Sequence, residues 1–315
     1  MFQRPGVAVG VLSMIPDVRE AILKQFPNAK LRDEIQVLNE EELTEFLKDC
    51  DAAIVGLEPL SRKVIEALPN LKAVGKFGVG CNNIDFPALH ERGIPFGMQP
   101  GVNRLAVAEL ALGFMISALR WIGPLAYDMR SARRPKQRIG RQLTGRVVGL
   151  HGCGHIGKEV VRLLKPFDCQ ILAHDIVDYR GFYEKEGVEP VSLDELVERS
   201  EVLSLHIPLT PETENIYDDA MLARLRPDCV LINTCRGGIV NEDALKRALQ
   251  SGEIQAACFD AFAEEPPTDD ELVGLPGLVG TPHIGASTIE ARIAMGLAAL
   301  KGLTENSVRA PDFQP

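Results

Sequence analysis

Val147-Val148-Gly149-Leu150-His151-Gly152-Cys153-Gly154-His155-Ile156-Gly157 decides how this chain reads. A strand-like run enters a G-x-G-x-x-G formed by Gly152, Gly154 and Gly157, and a helical pattern, Ile156 to Phe167, opens inside it. A second strand pattern, Gln170–His174, then ends on Asp175, and 175 − 157 is 18 residues. That order is what a dinucleotide-binding turn requires. The first glycine allows the tight turn, the second lets backbone approach a pyrophosphate, and the third lets helix pack on strand. The helix N-terminus presents free N–H groups to the phosphates. Asp175 is placed to accept hydrogen bonds from a ribose and to repel a 2′-phosphate. Ile176 and Val177 follow it with no Arg, which favours NAD over NADP, although Arg180 is not far away.

The same alternation runs outward in both directions. Downstream, Val202–His206, Cys229–Asn233 and Gln255–Phe259 read as strands with a helical pattern in each gap. Upstream, Val7–Leu12, Ala52–Val55, Leu71–Val74 and Ile94–Met98 do so, with helices over Glu40–Leu47 (Asn39 as N-cap) and Ser61–Leu68. This predicts an α/β protein of doubly wound parallel sheets. Val102 to Trp121 reads as a long helix apolar on most sides, the pattern of a helix buried between domains or subunits. Met129–Arg146 is a basic connection with Arg130, Arg133, Arg134, Lys136, Arg138, Arg141 and Arg146, read as solvated surface with an anionic contact as the alternative. Ile289–Leu303 is a final helix.

Composition bounds the rest. The 315 residues suit two domains, and 45% hydrophobic with 25% charged residues is ordinary for a globular protein. A net charge of −10 argues against a nucleic-acid or membrane partner. Seven cysteines include no C-x-x-C, so zinc-ribbon and thioredoxin readings fail and a reducing compartment is expected. No signal peptide or membrane-spanning run is read in the chain, and the expected location is cytoplasmic. The six histidines show no metal-ligand spacing, so no metal is expected. Three charged residues follow strand ends or loops: Arg236 in Asn233-Thr234-Cys235-Arg236-Gly237-Gly238, Glu265 before Pro266, and His283 in Thr281-Pro282-His283-Ile284-Gly285. An Arg fork suits a carboxylate. On the residues alone, a structural role for His283 stands level with a catalytic one.

Taken together, these motifs resemble the D-isomer-specific 2-hydroxyacid dehydrogenases, the group containing D-3-phosphoglycerate dehydrogenase. The matching segments are Leu71–Gly80 with Asn82–Asp85, Asn103 with Val107–Glu109, the Gly152 fingerprint, His206-Ile207-Pro208-Leu209-Thr210, Asn233–Gly238, Asp260–Pro266 and Thr281–Thr288. The resemblance implies two Rossmann-like or flavodoxin-like domains with a cleft between them. Residues 1–101 plus 287–315 would form the substrate-binding domain and 102–286 the NAD-binding domain. It implies a homodimer, with Val102–Trp121 near the interface. The activity implied is hydride transfer between nicotinamide and C2 of a small 2-hydroxy or 2-keto acid. His283 would be the acid and base, Glu265 would orient it and favour its imidazolium, and Arg236 would bind the carboxylate and carbonyl. NAD would be held by Gly152, Gly154, His155, Ile156, Gly157, Asp175, His206, Pro208, Thr234, Cys235, Arg236, Asp260, His283, Gly285 and Ala286. Gly78, Val79, Gly80 and Asn103 would join Arg236 around the substrate.

The chain also departs from the pattern. Where phosphoglycerate dehydrogenases place an Arg after the third strand, Val55–Leu60 holds Glu58, and no Arg comes before Arg62. That opposes 3-phosphoglycerate as substrate. The basic segment stands where many relatives carry a Trp, and it would favour an anionic substrate tail if it reached one. With the chain ending at Pro315, a C-terminal regulatory domain and feedback by serine are not expected. A corepressor-type scaffold that binds NAD with little turnover is the alternative reading on the same fold.

Overall fold

The computed structural model describes residues 2–131 and 138–305. It falls into two compact units, residues 1–103 with 286–315 and residues 104–285. In the first unit, β1 (Pro5–Val7), β2 (Lys30–Leu31), β3 (Ala52–Val55), β4 (Val74–Lys76) and β5 (Phe96–Gly97) form one sheet. Its order is β2-β1-β3-β4-β5, all parallel. The second unit has β6 (Val147–His151), β7 (Gln170–His174), β8 (Glu189–Pro190), β9 (Val202–Leu205), β10 (Val230–Asn233), β11 (Ala256–Phe259) and β12 (Leu278–Gly280). These run β12-β11-β10-β9-β6-β7-β8, again all parallel. Strand order reverses between β1 and β3 in one sheet and between β6 and β9 in the other. Ligands bind doubly wound sheets outside the carboxyl ends at such points.

Both faces of each sheet are covered, which is why the strands read as unbroken apolar runs rather than alternations. Ala52 and Ile54 join one core of the first unit, while Ala53 and Val55 join the other. In β10, Val230 and Ile232 face one core of the second unit and Leu231 the opposite one. The helix Arg104–Leu119 packs on the helix His155–Leu164 and on β10 and β11, burying Ala108, Ala111 and Met115 completely. The C-terminal helix Ile289–Gly302 lies on β4 and β5 through glycines. A Cβ on Gly75 would stand 2.2 Å from the Ala299 carbonyl oxygen, and one on Gly97 2.1 Å from that of Gly302.

Several elements differ from the sequence reading. The run Val7–Leu12 is not one strand: β1 ends at Val7, and Gly10–Ser13 is a helical turn. Gly10 there abuts the Glu34 backbone so closely that no Cβ would fit. An apolar run alone does not tell a buried strand from a buried turn. Leu71–Val74 and Ile94–Met98 keep only their carboxyl-terminal or central residues as β4 and β5. The long helix stops at Leu119, because Trp121 takes a left-handed φ of 58° and a second helix, Ile122–Arg130, leaves at 70°. The basic connection therefore begins with helix rather than loop. Arg133, Arg134 and Lys136 lie outside the described residues. Arg138 stacks over Trp121 at 4.6 Å, Arg141 pairs with Asp228 at 2.8 Å, and Arg146 pairs with Glu201 at 2.7 Å. These three serve the fold. Strands β2, β8 and β12 escaped the sequence reading because two or three residues carry no measurable period.

A histidine row lies along the carboxyl ends of β7, β6 and β9. His151 pairs in register with His174 and hydrogen-bonds the Tyr217 hydroxyl at 2.8 Å. Burial, reinforced by the neighbouring His174, pushes His151 down to about 4 from 6.5. Burial likewise pushes His206 down to about 3. An unfolded chain binds these protons near pH 6.5 and the folded chain does not, so stability is lost as pH falls from there toward 4. Thermal melts from pH 8 to 4 should show this acid limb, and His151→Asn should make it shallower. Parallel limbs in the two proteins would refute the assignment.

Candidate active site and cofactor cradle

Local geometry at the glycine turn explains each glycine. Gly152 takes φ +94°, and a Cβ there would lie 2.5 Å from the His206 carbonyl oxygen. A Cβ on Gly157 would stand 2.4 Å from the Gly152 carbonyl oxygen, so helix and strand approach only because it is glycine. Gly154 is the N-cap of His155–Leu164 with open space where a side chain would be. No side chain caps this helix and no acid stands in its first turn, leaving the first amides open to an anion. His155 and Ile156 begin that helix. Asp175 sits past β7, accepting from the amides of Cys153 (2.6 Å) and Val177 (2.8 Å), with lone pairs remaining for a ribose. Arg180, the nearby cation, is paired with Asp178 at 3.4 Å.

Past β9 and β10 the same edge holds two orphaned polar atoms. His206 donates or accepts at Nε2 with Ser204 Oγ (2.9 Å), while its buried Nδ1 has no partner. Thr234 Oγ1 is likewise buried and unpartnered. A buried polar atom without a protein partner is available to a ligand or to water. Pro208, just beyond, is exposed, and its carbonyl accepts from Thr213. Cys235 is buried, and its thiol is pushed up to about 11 by that burial, so it is an inert lining group rather than a nucleophile.

A single buried carboxylate organises the reactive end. Asp260, 1% exposed, follows β11 and accepts from Thr281 Oγ1 (2.6 Å) and the amides of Ile284 and Gly285 (2.7 Å each). Its own carbonyl accepts from the His283 amide at 3.0 Å. So tethered, His283 adopts φ +50°, a left-handed conformation uncommon for a side-chain-bearing residue and characteristic of functional sites. Its Nδ1 meets both oxygens of Glu265, at 3.0 and 2.8 Å. Glu265 also accepts from the Phe262 amide at 3.2 Å. Glu264 turns away and accepts from Thr268 instead. The tautomer of His283 follows from this pairing: the proton on Nδ1 is held by Glu265, and Nε2 is left for chemistry.

Arg236 follows β10 on a loop clamped by Asn233, whose amide donates to the Arg236 carbonyl at 2.8 Å. Its guanidinium donates to the Cys235 carbonyl at 2.6 Å, and no hydrogen bond or ion pair joins it to Glu265 or His283. The two loops meet through Gly237, where a Cβ would stand 2.0 Å from Phe262 backbone atoms. A further residue, which the sequence did not flag, holds this junction. Glu242 Oε1 accepts from the Ala263 amide at 2.6 Å. Burial raises its pKa, helped by the neighbouring carboxylates of Asp269, Asp243 and Glu265. Standing first in a helix capped by Asn241, it reads in sequence as an ordinary helix-start acid. Gly78 (φ +95°), Val79 and Gly80 form the loop after β4 in the first unit, and Asn103 in that unit buries an unpartnered Oδ1. Ala286 follows Gly285 and opens the C-terminal segment of the first unit.

This fold and cradle are those of a nicotinamide-dependent dehydrogenase domain, and the chain belongs to the D-isomer-specific 2-hydroxyacid dehydrogenase family. Residues 112–285 match the family model described as D-isomer specific 2-hydroxyacid dehydrogenase, NAD binding domain. NAD is the cofactor of this domain. The chain is 38% identical over 287 residues to a D-3-phosphoglycerate dehydrogenase of Methanocaldococcus jannaschii, covering 88% of this chain and 55% of that one. It is 35% identical over 275 residues to a hydroxypyruvate reductase of Thermotoga maritima, covering 84% and 89%. The chain therefore spans about half the length of the first relative. A crystal structure from Polaromonas sp. JS6 66, described as a D-isomer specific 2-hydroxyacid dehydrogenase, NAD-binding, superposes with a TM-score of 0.88. It shares 29% identity, with 96% of this chain and 95% of that one covered.

Gly152→Ala should lower NADH affinity at least about tenfold in a fluorescence titration, since the turn admits no Cβ at that φ. Wild-type affinity in that variant would show that the turn does not hold the cofactor.

Proposed function

We propose that the protein is an NAD-dependent dehydrogenase interconverting a small D-2-hydroxy acid and its 2-keto acid. The observation that carries this reading is the His283–Glu265 pair, held on a strained loop by Asp260. NAD, when bound, exchanges a hydride with C2 of the substrate. In the reducing direction His283 gives the proton on Nε2 to the carbonyl oxygen, and in the oxidising direction it takes that proton back. Glu265 keeps the ring oriented through its bonds to Nδ1. Arg236 offers a fork of donors to the carboxylate and to the oxygen where charge develops. Asp175, Gly154 and the amides at the start of His155–Leu164 hold the adenine nucleotide half, with Thr234 and His206 lining the other.

Glu242 is a positioning residue in this scheme, because it anchors Ala263 two residues before Glu265. We also propose a homodimer. The helix Ile122–Arg130 buries no side chain and exposes Ile122, Tyr127 and Met129, an apolar surface suited to a second copy.

With NADH and a panel of 2-keto acids, His283→Ala and Arg236→Ala should each lower kcat/KM by about 10²- to 10⁴-fold. Wild-type rates in both would overturn the site. Glu242→Ala should lower kcat roughly tenfold with a smaller effect on KM, as a misplaced acid does. Glu242→Gln keeps the acceptor for Ala263 and should recover most of the loss, and equal losses in the two variants would refute positioning through that bond.

A further inference from the structure

Tyr217 is the largest fully buried side chain among the described residues, and it carries a hydroxyl into the interior of the second unit. It sits between β9 and the helical turn Asp219–Leu222, in the same core cluster as Leu205, Ile239 and Val240. A phenol in such a place loses its hydration and needs a partner. The partner is Nδ1 of His151, at 2.8 Å. Burial pushes the phenol up and the imidazole down to about 4, so the bond joins two neutral groups. The hydroxyl has no other hydrogen-bond partner among the described residues. It therefore donates to Nδ1, and the imidazole keeps its own proton on Nε2.

The two ends of this bond belong to different parts of the site. His151 closes β6 and directly precedes Gly152 of the cofactor turn. That end is held by main chain: the His151 carbonyl accepts from the His206 amide at 2.7 Å, and the Gly152 amide donates to the His174 carbonyl at 2.8 Å. The other end holds the loop that carries Arg236. The Tyr217 amide donates to the Ile239 carbonyl (3.2 Å) and its carbonyl accepts from the Asn241 amide (3.1 Å), on either side of Val240. Two residues earlier, Asn215 at a left-handed φ of 51° donates to the Gly238 carbonyl at 2.7 Å. Residues 215–217 thus run along 238–241, a segment that follows Arg236 and leads into Glu242.

We propose that Tyr217 is a positioning residue whose hydroxyl fixes the Arg236 loop against the cofactor turn, so that the guanidinium meets the substrate in register with bound NAD. This rests on the dehydrogenase reading and adds to it a residue that acts through Arg236. Among the described residues the guanidinium makes one hydrogen bond, to the Cys235 carbonyl next to it, so its placement follows that of its loop. Apolar packing around Ile239 and Val240 has no direction, whereas the Tyr217–His151 bond does. Because β6 is tethered by its ladder, loss of the bond moves the loop rather than the turn.

The test uses the full chain with NADH and either glyoxylate or hydroxypyruvate, whichever the wild type turns over faster. Tyr217→Phe removes one oxygen and keeps the ring. It should raise the keto-acid KM at least about threefold at saturating NADH, while the NADH Kd from fluorescence stays within about twofold of wild type. The same variant leaves Nδ1 of His151 buried and unpaired, which lowers the melting temperature. Tyr217→Phe combined with His151→Leu removes both polar partners, so the melting temperature should recover while the KM stays raised. A wild-type KM in Tyr217→Phe overturns the proposal. So does a KM that recovers together with stability in the double variant, or an NADH Kd that weakens as much as the KM rises, since each marks general loosening rather than placement of Arg236. Absence of wild-type turnover on both keto acids overturns the dehydrogenase reading and this role together.

Discussion

The buried carboxylate of Asp260 is the constraint on which the reactive end depends. Three donors from the segment Thr281–Gly285 converge on it, and its main-chain carbonyl takes a fourth, the His283 amide. Charge-assisted bonds of this kind are among the stronger ones available to a loop. They hold His283 in a left-handed backbone that free peptide seldom adopts. The same strand end carries the chain on toward Glu265, so one acid sets both the position of the histidine and the distance to its partner. An Asn at 260 would keep the shape but would bring an N–H toward amides that already donate.

Glycine plays the complementary part. Where Asp260 draws backbone inward, Gly152, Gly157 and Gly237 leave room for backbone to arrive, at the cofactor turn and between the Arg236 and Glu265 loops. Gly75 and Gly97 do the same for the C-terminal helix, which is why residues 289–302 belong with the first hundred although the whole second unit intervenes. Side-chain absence at these points is a packing requirement rather than a tolerance of flexibility.

The acid–base pair is partly exposed, with His283 at 47% and Glu265 at 39% of side-chain accessibility. Its attraction is therefore screened by water, and as an ion pair it contributes little to stability. Its value is directional: it fixes which ring nitrogen is free. Stability comes from elsewhere, from two sheets each buried on both faces, and the thiols confined there are pushed up by burial, as with Cys229 and Cys258 at about 12. Acid sensitivity resides in the buried histidines beneath the cofactor turn, His151 and His206.

Sequence alone determined the class of fold and its strongest markers. Val147–His151 and Gln170–His174 were legible to the residue, and Glu40–Leu47 with its Asn39 cap was too, because hydrophobic runs, glycine spacing and capping chemistry are local. From the residues alone Arg236, Glu265 and His283 were charged residues at strand ends or in loops, and their roles came only with the family resemblance. That Glu242 braces the loop and that Asp260 gathers the donors of Thr281–Gly285 depend on contacts between residues far apart in the chain. Distances of that kind are set when parallel strands pair and both sheet faces close, and no local pattern encodes them.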